Sequence, residues 1–113
     1  MLNGIYTAYM TGVAGNSIAM LVFLNGVISG ADVGGGLYDG NYEIVNDGET
    51  IRGTMIYKLP INVASIAGIA PQEKPMSIDV AIDLPSLIQP DDVYRVETSV
   101  GPINLKLVKI RSL

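Results

Sequence analysis

The chain has 113 residues, 49% of them hydrophobic and 16% charged, with a net charge of -4 and neither His nor Cys. This length fits a single domain, 1–113, around one core; the absence of Cys excludes disulfides and thiolate chemistry, and the absence of His removes the commonest zinc ligand and general base. An acidic balance with a pI near 4.5 disfavours direct nucleic-acid binding, which needs clustered Lys and Arg against the phosphates.

Ile5 to Met10, rich in β-branched and aromatic residues, predicts a first strand, and Gly12 to Asn16 a turn. Ser17 to Leu24 is a more continuous apolar run ending in Asn25-Gly26, a pair suited to the positive φ angles of a type I′ hairpin turn; Val27 and Ile28 begin the return strand. Even taken across that turn, Ser17 to Ile28 falls short of the ~20 residues of a transmembrane helix, so no membrane span is predicted. The N-terminus has no basic segment ahead of an unbroken apolar one, no signal peptide is read, and the expected location is the cytoplasm.

Gly30-Ala31-Asp32 and Gly34-Gly35-Gly36 follow. A phosphate-cradling loop would be followed by Lys-Ser/Thr or by a helical pattern; neither is there, and a barrel corner or bulge is the reading. Leu37 to Val45 predicts the next strand, closed by Asn46-Asp47-Gly48. Ile51, Gly53, Met55, Tyr57 and Leu59 alternate with Arg52, Thr54, Ile56 and Lys58, and Met76, Ile78, Val80, Ile82 and Leu84 with Ser77, Asp79, Ala81 and Asp83. This period of two marks strands buried on one side.

Between them, Pro60 to Pro75 carries Ala64 to Ala70, too apolar for a solvated linker and too short for a sturdy amphipathic helix. One short helical turn capping a barrel mouth is expected, with Asn62 or Ser65 at its start and Gly68 at its end. Pro85 to Pro90 is a second connection, and a hairpin of Asp92 to Val100 and Ile103 to Ile110, joined through Gly101-Pro102, ends the chain. Lys106, Lys109 and Arg111 on this last strand read as protection of a sheet edge rather than as a phosphate site.

These elements predict an all-β fold: a small antiparallel up-and-down β-barrel of about eight strands with one short helical turn. An eight-stranded interior is just wide enough for side chains or for one small apolar ligand. The mean hydropathy of +0.38 is high for a small soluble monomer, and a dense core, a dimer interface and an apolar cavity each account for it. For a cavity, the expected lining is Met55, Tyr57, Ile78 and Val80 on the inward strand faces, with Ile66 in the cap.

The carboxylates offer no paired site. Asp32, Asp39, Glu43, Asp47 and Glu49 lie close in sequence before the first basic residue, Arg52, without the loop pattern of a calcium site, and read as a solvated acidic rim. Asp79 and Asp83 are four strand residues apart, roughly 13 Å, too far for a glycosidase pair. Ser and Thr have no His to activate them. No catalytic residue, metal or cofactor is predicted, and the chain reads as non-enzymatic. Asp39, Glu43, Asp47 and Glu49 are the candidate surface for a basic protein partner. The six Tyr read as strand packing, with the hydroxyls reaching water or a backbone carbonyl.

Asn3-Gly4-Ile5-Tyr6, Asn25 to Asp32 and Tyr38-Asp39-Gly40-Asn41-Tyr42 together resemble the GrlR-like family of small bacterial proteins, in which an opening Gly-Ile-Tyr is followed by a Gly-Gly-Asp and a Tyr-x-Gly. The likeness covers about the first 60 residues. Ala31 stands where the family often has Gly, and the acidic run that follows the family's Tyr-x-Gly strand corresponds to Asn46-Asp47-Gly48-Glu49. The resemblance implies a lipocalin-like barrel that forms a homodimer and acts by restraining a transcriptional activator. The expected function is thus a non-enzymatic interaction or regulatory module, with a carrier of small apolar molecules as the alternative.

Overall fold

In the computed structural model, which describes residues 2–113, eight antiparallel strands close into one barrel in chain order. They are β1 (Gly4–Gly12), β2 (Gly15–Leu24), β3 (Val27–Asp32), β4 (Leu37–Val45), β5 (Thr50–Leu59), β6 (Met76–Pro85), β7 (Tyr94–Thr98) and β8 (Gly101–Ser112). β8 returns to pair with β1, Tyr9 opposite Lys106 and Met10 opposite Leu105, with one irregularity in register between Ile5 and Tyr6.

Because each strand reverses the last, the β1–β2, β3–β4, β5–β6 and β7–β8 connections gather at one end, termed the cap end. The remaining connections, Leu2 and Leu113 lie at the other end, the base. Side chains alternate in and out, most clearly on β1 and β6: Tyr6, Ala8 and Met10 are buried while Tyr9 is exposed, and Ile78, Val80, Ile82 and Leu84 are buried while Asp79 and Asp83 are exposed. Small and large residues face each other across neighbouring strands, Gly30 beside Tyr38, Gly40 beside Met55 and Gly53 beside Tyr42.

The Asn25-Gly26 turn takes the expected positive φ angles, 49° and 86°. Two details differ from the sequence reading. First, no described residue is helical, so no helix is long and apolar enough to cross a membrane. The expected helical turn in 60–75 is replaced by a loop in which the Ser65 amide donates to the Ile69 carbonyl, four residues ahead, the reverse of the α-helical ladder. Ser65 does act as a cap, but of a tight turn: its Oγ accepts from the Ala67 amide at 3.1 Å, and its carbonyl accepts from the Gly68 amide. Second, the last hairpin turns at Ser99-Val100, and Gly101-Pro102 already belongs to β8. β8 pairs with β1 through most of its length but with β7 only over Gly101–Leu105, so Lys106, Lys109 and Arg111 lie on a stretch laddered on one side. The Lys109 ammonium stands 5.8 Å from the centre of the Tyr6 ring. The thinnest seam is between β6 and β7, where only Val80 and Thr98 are in ladder register.

At the base the interior is solid. Phe23 meets Tyr6 edge-on at 5.1 Å between ring centres and Tyr42 at 5.7 Å, and Ile28, Ile51 and Leu84 fill the space around them. Leu2 plugs this end, its carbonyl accepting from the Tyr6 hydroxyl at 2.6 Å, while Asn3 exchanges hydrogen bonds with Asn25 of the β2–β3 turn.

Candidate functional site

The cap end is hollow. Beneath the 60–75 loop lies a cavity of about 230 Å³, walled by inward residues of the strands and roofed by Val63 to Ala67. The five residues expected from the sequence, Met55, Tyr57, Ile78, Val80 and Ile66, all lie on its wall. Met10, Leu21, Val96, Ile103 and Leu105 complete an apolar barrel section around them.

The roof is held by backbone bonds rather than by an apolar helix face. The Ala14 amide in the β1–β2 turn donates to the Ile66 carbonyl at 2.8 Å, and within the loop the Asn62 and Ser65 amides donate to the Gln72 and Ile69 carbonyls. Gly12 allows this docking, since a Cβ there would lie 2.4 Å from the Ile66 oxygen. The docking brings Ser65 to 7% exposure and turns Ile66 toward the cavity.

One polar cluster interrupts the apolar wall. The Asp32 carboxylate accepts four hydrogen bonds: its Oδ1 from the amides of Gly34 (3.0 Å) and Gly36 (2.8 Å), its Oδ2 from the hydroxyls of Tyr38 (3.0 Å) and Tyr57 (2.9 Å). The two rings lie 4.7 Å apart between centres, and the Tyr38 hydroxyl also approaches the Met10 sulfur at 3.8 Å. Gly36 lets the cluster form: a Cβ would sit 2.3 Å from the Tyr57 ring and 2.6 Å from Asp32 Oδ2. Burial, then the Asp32 charge, pushes the Tyr38 hydroxyl well above the ordinary tyrosine range. Burial, then its hydrogen bond to Asp32, does the same to Tyr57. Both are neutral phenols whose hydrogens are committed to the carboxylate.

This is the part that sequence reasoning missed, because Asp32 was grouped with the acidic rim. Two signals in the sequence point to it. Asp32 has the inward parity of Ile28 and Gly30 on β3, and the spacing Asp32-x-Gly34-x-Gly36 suits a carboxylate collecting amides two and four residues on.

The other acids are elsewhere. Asp39 and Glu43 stand exposed on the outer face of β4, Glu43 opposite Arg52 in register. Asp47 and Glu49 stand exposed in the β4–β5 connection at the base, away from the cavity mouth. Arg52 reaches Asp83 on β6 at 3.7 Å, an exposed pair of the kind that contributes little. Among the described residues, no group of three or more His, Cys, Asp or Glu is placed to hold a metal. Compared with known proteins, the chain matches no family model and no curated protein.

Proposed function

We propose that this protein is a non-catalytic binding barrel that takes up a small, mainly apolar molecule at its cap end. The observation that carries this reading is the contrast between a base packed with aromatic rings and a cap end that keeps about 230 Å³ open beneath a docked loop. An apolar cavity of ~150 Å³ accommodates benzene, so this one has room for about nine non-hydrogen atoms. The test is uptake of toluene, followed by ligand-observed NMR. Unmodified protein is expected to bind it; Ile78→Trp, which places an indole in the cavity, is expected to remain folded and to lose uptake, and undiminished uptake would sink the reading.

A second reading, as a homodimeric regulator that restrains a basic transcriptional activator in the cytoplasm, has its own support. The outer faces of β1, β2 and β3 display Tyr9, Ile18, Met20, Leu24 and Val27, all more than 40% exposed, and no Lys or Arg occurs before Arg52. Exposed apolar surface of this kind suits a protein contact, a second copy included. Beside it, Asp39, Glu43, Asp47 and Glu49 offer acids to a basic partner. The double variant Asp47→Lys, Glu49→Lys should then weaken capture of the activator without unfolding the barrel, as read by pull-down and circular dichroism; unchanged capture removes these acids from the surface.

A further inference from the structure

Resting on the cavity reading, we infer that the ligand carries a hydrogen-bond-donating head, an alkylammonium or an alcohol, held at the Asp32–Tyr38–Tyr57 cluster, and that apolar carboxylates are rejected.

The chemistry follows from where the hydrogens point. Both tyrosine hydroxyls donate to Asp32 Oδ2, so what their oxygens have left for the cavity is lone pairs. Asp32 accepts on both oxygens and donates nothing. The Thr98 hydroxyl, also on the wall, is occupied by the Gly101 carbonyl. No Lys or Arg lines the cavity; Asn16, Ser17 and Ser65 add neutral groups that can donate, on elements other than the Asp32 cluster. The polar pole therefore offers acceptors around a fixed negative charge.

A ligand hydroxyl finds a lone pair on either tyrosine. An ammonium finds the same lone pair plus attraction to the carboxylate in a poorly hydrated setting. A carboxylate head finds like charge and no charged donor, and must shed its own hydration to enter. A pole of acceptors discriminates against a group that cannot donate, because that group loses its hydration there and gains no partner. The apolar tail fits the rest of the wall, Met55, Ile78, Val80 and Leu105 among it.

The experiment is calorimetric titration at neutral pH of n-octylamine, n-octanol and octanoate, three probes of nearly one size that differ in the head, with toluene as a headless reference. Octylamine and octanol are expected to bind at least tenfold more tightly than octanoate. Asp32→Asn, which removes the charge and supplies a donor, is expected to bring octanoate within threefold of octanol at unchanged toluene affinity. Tyr57→Phe, less disruptive to the loop, is expected to weaken octanol selectively and serves if Asp32→Asn does not fold. Octanoate binding as well as octanol to unmodified protein, with toluene still entering, overturns the head-group assignment and leaves the apolar cavity standing. Selectivity unchanged in the folded variants also overturns it. No uptake of any probe, toluene included, overturns the cavity reading and this inference with it.

Discussion

The base and the cap end of the barrel are written in the same alternating code, yet one is packed solid and the other encloses a cavity. At the base, Tyr6, Phe23 and Tyr42 turn their rings on one another, and Leu2 enters from below to accept the Tyr6 hydroxyl. At the cap end two tyrosines of the same size, Tyr38 and Tyr57, are drawn side by side toward Asp32, and Ile66 roofs the space from above without filling it. The lesson is that aromatic content does not decide whether a small barrel fills. The position of the hydrogen-bond acceptor does: placed below the rings it pulls them into the core, and placed at the rim it holds them aside.

The contrast is broken most directly by making one truncation at both ends. Leu84 is almost completely buried at the base, whereas Leu105 borders the cavity. Leu84→Ala leaves a sealed void and is expected to cost about 3–5 kcal/mol in urea unfolding. Leu105→Ala enlarges a space that already deprives the side chain of neighbours on one face, and is expected to cost about 2 kcal/mol. Equal losses would mean that the cap end is packed as tightly as the base.

Next in size is Gly36→Ala. Its new methyl group would meet both the Tyr57 ring and Asp32 Oδ2, so either the ring swings inward or the loop lifts. The expected cost is about 1–3 kcal/mol, in the range of overpacking a fitted site. Toluene uptake is expected to fall with it if the ring moves into the cavity. A substitution that changes neither stability nor uptake would show that the tyrosines need no spacer.

How much of this was legible in the residues can be judged from β5 and β6. Their strict alternation identified the strands and placed Met55, Tyr57, Ile78 and Val80 inward, because period-two patterning reports directly on which face is buried. Ile66 on the cavity roof was legible as well, from the apolarity of a segment too short to be a helix. The helical turn expected there was wrong because the loop's bonding partners are remote: the Ile66 carbonyl is taken by Ala14, some fifty positions back, and no local pattern encodes that. Asp32 was misassigned for a related reason. Its two tyrosine donors are contributed by β4 and β5, and only barrel closure brings them to one carboxylate.

The finest test of the contrast uses alkaline pH. Tyrosine is charged only when deprotonated, and Tyr38, Tyr57 and Tyr6 are all raised above their ordinary value, chiefly by burial. The unfolded chain releases these protons near pH 10, while the folded chain keeps them, so stability carried by the neutral phenols is complete below about pH 10 and is lost as pH rises beyond it. Each proton kept by the folded state and lost by the unfolded one costs about 1.4 kcal/mol per pH unit in that window. Urea midpoints should therefore vary little with these groups from pH 7 to 9.5 and fall above pH 10. The Asp32 charge adds to the shift at the cap end, whereas the Tyr6 shift comes from burial and its neighbour Tyr42. Tyr38→Phe is accordingly expected to flatten the alkaline fall more than Tyr6→Phe. The reverse order would place the dominant electrostatic strain among the packed rings of the base and would remove the carboxylate as what sets the cap-end tyrosines apart.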